Sequence, residues 1–413
     1  MKNEKLLTLL KILGVFTCLY LFLIGIGGMG AAFKGEFKET AAKLLEATRS
    51  PFVGLFIGIL ATTIVQSSST TTSLIVGLVA AGALDVTGAI FMVMGANVGT
   101  TVTAKIVSLG HITRKSEFRR AFAASSVHDT FNLITVAIML PLEYSFQILE
   151  KMARYMGTAF VDVSGVTKPE NYVKKATKPV IEWMSDTLNS ELWLLIVSVA
   201  ITFFMLFAIV KLLQSLVLKK LESFFDAYLF RNAAIAFVVG MCLTVLVQSS
   251  SITTSLIVPL AGAGVIRLQQ IFPFTIGANI GTTITGLLAA LAAASAVDVA
   301  PGEPIPSEVV AGATVAFAHL LFNLSGAIIF LPYQPIRELP VKFAEWLAEL
   351  CLRNRAIPIA VIVVVFYLIP IGVTWNTVAD VFRETPSEPN QEEPAGSPPE
   401  SGDKNATTPQ PKE

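Results

Sequence analysis

Charged residues are scarce in this chain: only 15% of its 413 residues are charged, whereas 53% are hydrophobic. Soluble domains carry about a quarter charged residues, and a mean hydropathy of +0.67 separates this chain from them. The 30 basic residues balance the 30 acidic ones, so no basic surface for nucleic acid is expected. The composition predicts a polytopic membrane protein embedded in a lipid bilayer.

Cysteines and the usual enzyme signatures are equally sparse. The three cysteines, Cys18, Cys242 and Cys351, lie far apart in or beside apolar runs, which indicates buried thiols and not a disulfide or metal framework. No nucleotide-binding loop, Cys/His metal spacing or nucleophile elbow is present in the sequence. We therefore expect neither an enzyme nor a bound cofactor, and without a nucleotide site any work that the protein performs should be driven by an ion gradient.

Long apolar runs, by contrast, are abundant. A bilayer-spanning helix needs about 20 apolar residues, and seven runs are long enough. Two shorter stretches, at about 52–84 and 233–266, are each broken by Gln-Ser-Ser-Ser, which predicts a re-entrant hairpin that enters and leaves on one side. The seven long runs lie at about 8–30, 86–107, 120–142, 191–217, 270–296, 308–332 and 356–374.

The two broken stretches belong to an internal repeat. Gln66-Ser-Ser-Ser returns as Gln248-Ser-Ser-Ser, and Gly95-Ala-Asn-Val-Gly-Thr-Thr returns as Gly277-Ala-Asn-Ile-Gly-Thr-Thr, both at one offset (248 − 66 = 182). A third phrase, which begins with His128, returns at a slightly larger offset (319 − 128 = 191). Polar, glycine-broken segments at corresponding positions of two halves indicate the binding site of a transporter.

Basic residues in short loops mark the cytoplasmic side of a membrane protein. The segment from Lys105 to Arg120 is rich in them, whereas the loop from Val297 to Glu308 is acidic only. These loops predict a cytoplasmic N-terminus, an external C-terminus and, because the single run at 191–217 separates the halves, opposite orientations for them. The predicted fold class is an all-α polytopic membrane protein with two inverted-topology repeats, each with a re-entrant helical hairpin and a broken helix.

This organisation divides the chain into six segments. The first is an N-terminal transmembrane helix with an interfacial segment, and the last is a disordered tail rich in proline, glutamate and serine. Between them lie the two repeats, separated by a polar external loop of mixed charge at 144–190, a connecting helix and an internal junction, and followed by the last transmembrane helix. In chain order the predicted boundaries are 1–51, 52–143 (repeat 1), 144–232, 233–335 (repeat 2), 336–383 and 384–413.

The serine phrases predict an anion site. Serine at a helix start leaves backbone N–H groups free to face an anion, and the helix dipole favours negative charge there. Hydroxyls can also donate to an oxyanion. The alternative is helix–helix packing, in which small hydroxylated residues are common. The candidate anion-binding residues are Ser67, Ser68, Ser69, Thr70, Ser249, Ser250 and Ser251.

The Gly-Ala-Asn phrases and the flanking glutamines predict a cation site. Two glycines and an asparagine inside a helix favour a bend or an unwound turn, whose carbonyls and threonine hydroxyls would be hard oxygen ligands for a small cation. The alternative is a packing seam of glycine and threonine. The candidates are Gln66, Gln248, Ser249, Asn97, Thr100, Thr103, Asn279, Thr282 and Thr285.

The third phrase adds a buried carboxylate. His128 and Asn132 match His319 and Asn323, and we interpret these residues as supporting polar pairs. Asp129 has no counterpart, since Leu320 occupies its place. A carboxylate in an apolar span is a functional candidate, able to bind a cation with Asn132 or to carry a proton. The alternative is a salt bridge to Lys105 or Arg119.

The duplicated phrases, together with Ser116-Glu-Phe-Arg-Arg-Ala-Phe122 and Val127-His-Asp-Thr-Phe-Asn132, resemble those of the type II sodium-dependent phosphate cotransporters. The resemblance covers roughly residues 54–335, and the chain is similar to a bacterial member of this family. It implies import of inorganic phosphate with sodium as the co-transported ion, across a bacterial inner membrane. The sequence predicts nothing about oligomeric state.

The resemblance also implies roles for individual residues. Phosphate would bind between the hairpin tips, through the Ser67–Ser69 and Ser249–Ser251 regions. Asp129 implies that each cycle moves net positive charge inward. Sodium would be held by Gln248, Ser249, Thr282 and Thr285, and a second sodium by Asp129 and Asn132.

The chain departs from the family pattern at three positions near the predicted second sodium site. His111 and Arg114 stand where the family has glutamine and aspartate, and Ala278 replaces a serine. Two other functional classes remain open from the sequence. One is a passive channel that uses the same polar segments, and the other is a membrane protein that senses phosphate without transporting it.

Overall fold

The computed structural model describes residues 2–32, 50–164, 172–217, 232–295 and 307–382, and all regular secondary structure within these ranges is helical. Two predicted segments, the interfacial stretch before residue 50 and the tail after residue 383, lie outside the described residues. The helices are α1 (Lys2–Ala32), α2 (Pro51–Val65), α3 (Ser68–Ala80), α4 (Val86–Gly99), α5 (Val102–Leu109), α6 (Lys115–Phe146), α7 (Ile148–Ser164), α8 (Tyr172–Leu188), α9 (Glu191–Val217), α10 (Ala233–Val247), α11 (Ser250–Gly262), α12 (Leu268–Ser295), α13 (Ser307–Phe330), α14 (Gln334–Leu352), α15 (Ala356–Val363), a π-helical turn (Val364–Leu368) and α16 (Ile369–Phe382).

Seven helical spans in the described residues are long and apolar enough to cross a membrane, and they match the seven predicted runs. The helices of the two Gln-Ser-Ser-Ser stretches are shorter. Those in the pairs α2–α3 and α10–α11 have 15 and 13 residues. At 1.5 Å per residue they reach about 20 Å, less than the roughly 30 Å of a bilayer core.

The two halves pack through equivalent contacts. Within each half, the first hairpin helix packs against the long helix that follows, as α2 on α4 and α10 on α12. Between halves, α3 packs on α13 and α11 packs on α6. A Cβ built on Gly312 would lie 3.2 Å from the Ala80 Cβ, and one built on Gly262 would lie 3.4 Å from the Ala121 Cβ. These two contacts join equivalent positions, so each hairpin is held by the opposite half.

The stretch at 144–190, which the sequence predicts as a polar external loop, is mostly helical, because α7 and α8 occupy most of it. Apolar residues recur along α7 at helical spacing, and Leu149, Ala153 and Val161 are buried. This face packs against α13. The charged residues of α7 lie on the opposite side of this amphipathic helix. In the sequence they obscured the helical spacing of its apolar residues.

The prediction of a broken helix in each repeat is also only half right. The second Gly-Ala-Asn phrase lies within the continuous helix α12. In the first repeat α4 and α5 are separated only by Thr100 and Thr101, whose backbones stay near helical dihedral angles. The glycines instead permit close helix packing: a Cβ on Gly95 or Gly277 would lie 1.9 Å from a backbone carbonyl oxygen of α2 or α10.

Candidate functional site

Both hairpins turn with the same backbone geometry. Gln66 ends α2 in the left-handed region at φ 55°, and Gln248 ends α10 at φ 56°. Ser67 and Ser249 follow in extended conformations, and each side-chain oxygen accepts a hydrogen bond at 3.3 Å from the backbone N–H three residues on. A non-glycine residue in the left-handed region costs about 1 kcal/mol. The same strained turn therefore opens a serine-capped helix in each repeat.

The serines at these helix starts are largely buried. Ser68 and Ser250 are each 2% exposed, and the Ser69 hydroxyl is buried without a hydrogen-bond partner among the described residues. The serine helices α3 and α11 also contact each other. Each half thus supplies one buried helix N-terminus with free N–H groups and hydroxyls, which favours an anion, and the two helices that carry these N-termini are in contact.

The two hairpin tips differ in their surroundings. Gln248 is 7% exposed, and its Oε1 accepts a hydrogen bond of 2.7 Å from the Thr285 hydroxyl. The equivalent Gln66 is exposed, and the Thr103 hydroxyl, which corresponds to that of Thr285, is buried without a partner among the described residues. The tip of the second hairpin is hydrogen-bonded to the long helix of its own repeat, and we call this tip closed. The described residues show no equivalent bond to the Thr103 hydroxyl at the tip of the first hairpin.

The remaining threonine candidates keep oxygen lone pairs free. The hydroxyls of Thr100 and Thr282 donate to the carbonyls of Ala96 and Ala278, at 2.9 and 3.0 Å. A hydroxyl that donates to its own helix can still accept from a donor or coordinate a cation. Both residues are buried, so their oxygens are available to an ion inside the protein.

The four asparagines and two histidines of the duplicated phrases form one buried network at the boundary between the repeats. His128 Nε2 lies 2.6 Å from Asn279 Oδ1, and Asn279 Nδ2 donates to Asn132 Oδ1 at 2.8 Å. Asn132 Nδ2 donates in turn to the backbone carbonyl of Asn97 at 2.6 Å. That carbonyl is free because Thr101 N bonds to Val98 O instead.

The network continues into the second repeat. Asn97 Oδ1 accepts from Asn323 Nδ2 at 3.1 Å and lies 3.4 Å from His319 Nε2. Each repeat therefore supplies an asparagine to the histidine of the other repeat. All six residues are at most 3% exposed. The sequence shows the duplication but not this exchange, because neither offset indicates which copies contact each other. The signal in the sequence is that both members of each pair are duplicated, the asparagines at an offset of 182 and the histidines at an offset of 191.

Asp129 forms an ion pair with Lys105, the salt bridge that the sequence left open beside a cation site and a proton carrier. The Lys105 ammonium contacts Asp129 Oδ2 and donates to the Ser126 hydroxyl at 2.8 Å. Lys105 and Asp129 are 1% and 4% exposed. Sodium binding by Asp129 stays a prediction, but the carboxylate already has a cation beside it.

Comparison with known proteins agrees with these features. A model of the Na+/Pi-cotransporter family matches residues 21–166 and 193–330. The chain is 30% identical to sodium-dependent phosphate transport protein 2A of Ovis aries, over 88% of this chain and 67% of that protein. For protein 2A of Rattus norvegicus the values are 31%, 88% and 67%, and for protein 2B of Homo sapiens they are 30%, 86% and 63%.

The chain spans about two thirds of the length of these curated relatives. No solved structure matches it. The two segments matched by the family model each contain one Gln-Ser-Ser-Ser hairpin and one Gly-Ala-Asn phrase, so the match includes both halves of the buried network. The chain belongs to the Na+/Pi-cotransporter family.

Proposed function

We propose that this protein is a symporter that imports inorganic phosphate together with sodium, by alternating access. The observation that carries the proposal is the pair of buried, serine-capped helix N-termini, one on each of the two contacting helices α3 and α11, in a chain of the Na+/Pi-cotransporter family. The relatives' names state sodium-dependent phosphate transport. Transport, not catalysis, is the activity.

Phosphate binds between the two hairpin tips in this proposal. The free N–H groups of α3 and α11 supply partial positive charge, and the serine and threonine hydroxyls donate to phosphate oxygens. Neither hairpin carries a lysine or arginine, so sodium must balance the rest of the anion's charge. The phosphate ligands are Ser67, Ser68, Ser69, Thr70, Ser249, Ser250 and Ser251.

Sodium binds beside the closed second hairpin. Gln248 and Thr285 already meet there, and Thr282 and Ser249 offer further oxygens on the same two elements. Gln66, Thr100 and Thr103 are the equivalent groups of the first repeat. Asn97 and Asn279 belong to the buried network. Their proposed role is to hold the two repeats together during transport.

Alternating access follows from inversion of the repeats. With the N-terminus cytoplasmic and the C-terminus external, the first hairpin enters from outside and the second from inside a plasma membrane. The two tips then close alternately. The unequal burial of Gln66 and Gln248 supports this proposal, because equivalent tips in different environments are what a two-state cycle requires.

Uptake of labelled phosphate into proteoliposomes tests the function. With an inward sodium gradient we expect phosphate to accumulate above its external concentration, which a passive channel cannot achieve. Ser68→Ala and Ser250→Ala should each reduce uptake at least about tenfold, because each removes a donor from a desolvated anion, worth about 1.5–3 kcal/mol. Ser198→Ala, a buried serine on the connecting helix α9, is the matched control and should transport normally.

Two outcomes would contradict the proposal. Equal uptake with and without a sodium gradient would reject the coupling. Normal transport by both Ser68→Ala and Ser250→Ala would reject the site while leaving the activity standing. By linkage, phosphate must also raise the affinity for sodium by the factor by which sodium raises the affinity for phosphate.

A further inference from the structure

Lys105 is a fully buried lysine within an apolar helix cluster. Its ammonium pairs with Asp129, donates to the Ser126 hydroxyl, and lies 4.5 Å from the centre of the Phe122 ring. These three partners occupy positions i, i+4 and i+7 of α6, which lie on one helix face. The ammonium of Lys105, in the middle of α5, is thus held by three groups on one face of α6.

The pair has no equivalent in the second repeat. Leu287 corresponds to Lys105 (287 − 105 = 182), and Leu320 corresponds to Asp129 (320 − 129 = 191). The second repeat keeps the same helix contacts with hydrocarbon at both positions. A buried ion pair also contributes little to stability compared with apolar residues of similar volume. The pair is therefore not needed for the fold, and its role must be sought in transport.

Lys105 also changes what Asp129 can bind. The carboxylate and the ammonium form a neutral unit. A sodium ion added at the buried Asp129 Oδ1, which has no hydrogen-bond partner among the described residues, would leave one uncompensated positive charge in an apolar interior. The Lys105 ammonium therefore neutralises the Asp129 carboxylate, as a bound sodium ion would otherwise do.

We infer that Lys105 is a built-in cation that replaces one transported sodium ion at Asp129 and so sets the charge carried with each phosphate. This inference rests on the proposed sodium and phosphate symport. It removes Asp129 from the set of sodium ligands, and it overrides the expectation that Asp129 makes each cycle carry net positive charge. The protein moves one positive charge fewer per phosphate than it would with Asp129 unpaired.

The test is Lys105→Met, which keeps the length of the side chain and removes its charge. Charge moved per phosphate is measured in proteoliposomes from tracer uptake at a series of clamped membrane potentials. We expect Lys105→Met to move one more positive charge inward per phosphate than the wild type, with a steeper dependence of uptake on sodium. An unchanged charge ratio and sodium dependence in a transporting variant would overturn the inference.

The double variant Lys105→Leu/Asp129→Leu is the matched control, since it copies the second repeat. We expect its charge per phosphate to equal that of the wild type, whatever its rate. A ratio one charge lower would mean that Asp129 carries an ion in the wild type, which overturns the inference even if Lys105→Met proves inactive.

A binding measurement separates this inference from the proposed function. Sodium that binds the folded state raises the unfolding temperature of purified protein, and no transport is needed. With choline as the reference salt, we expect Lys105→Met to gain more thermal stabilisation from sodium than either the wild type or the double variant. Equal sodium responses in all three would overturn the inference. Failure of wild-type uptake would count against the proposed function alone.

Discussion

The first and second repeats share a backbone scaffold but differ in the polar groups on it. In both, the hairpin turns at a left-handed glutamine and a glycine of the long helix contacts a backbone carbonyl of the first hairpin helix. The first repeat has an exposed Gln66 and a Lys105–Asp129 ion pair. The second has a buried Gln248 bonded to Thr285, with leucines in place of the ion pair.

This comparison separates structural from functional constraints. The shared features are backbone contacts, which tolerate no added atoms because protein interiors are close-packed. The differing features are side chains that carry charge or hydrogen bonds. The two copies thus share their backbone contacts, and they differ in side chains where sodium and phosphate are expected to bind.

The largest expected effect comes from disrupting the backbone contacts that the two repeats share. Gly95→Ala and Gly277→Ala each place a Cβ 1.9 Å from a backbone carbonyl oxygen, which cannot rotate away as a side chain can. We expect each variant to lose at least about 3 kcal/mol of stability, the upper range for overpacking. Size-exclusion profiles and unfolding temperatures measure this loss. Gly372→Ala, with no atom within 4 Å of the new Cβ, is the control and should behave as wild type.

The difference between the hairpin tips predicts an intermediate effect. Gln248→Ala removes a buried acceptor of the Thr285 hydroxyl, whereas Gln66→Ala removes an exposed amide. We expect Gln248→Ala to weaken apparent sodium affinity about tenfold, since a lost buried hydrogen bond costs about 1–3 kcal/mol. Gln66→Ala should shift it less. Uptake at varied sodium measures both, and equal shifts would show that the tips are functionally equivalent in spite of their unequal burial.

The exchanged histidine–asparagine contacts predict the smallest difference. His128 lies 2.6 Å from Asn279 Oδ1, whereas His319 lies 3.4 Å from Asn97 Oδ1. Double-mutant cycles with alanine, read from unfolding temperatures, should give a coupling of about 1 kcal/mol for His128–Asn279 and a smaller one for His319–Asn97. Leu287 has no side-chain group that could hydrogen-bond to His128, so the cycle for these two residues should give a coupling near zero. A larger coupling for the longer contact would contradict the geometry.

Much of the fold was predictable because it follows from local properties of the chain. The seven apolar runs and the serine helix starts were found from hydropathy, length and capping preference. The helices within 144–190 were missed because their charges concealed a helical period. The broken helix was wrongly predicted in the second repeat because glycine permits either a bend or a close contact, and the sequence does not distinguish them.

The candidate site was predictable as a set of residues but not as a set of partners. The duplication singled out Asn97, His128, Asn279 and His319 without indicating that each histidine meets the asparagine of the other repeat. For Asp129 the sequence left a sodium site, a proton carrier and a salt bridge open. The structure shows the Lys105 ion pair, which depends on how α5 lies against α6.

The sequence by itself determined the membrane-spanning helices, the duplicated unit and the polar residues within it, because these depend on hydropathy and on short-range backbone preference. Only the tertiary structure decided which copy contacts which, which hairpin tip is closed, and which cation neutralises Asp129. Those outcomes depend on helices far apart in the chain meeting in three dimensions, and no local rule specifies the distance between two such side chains.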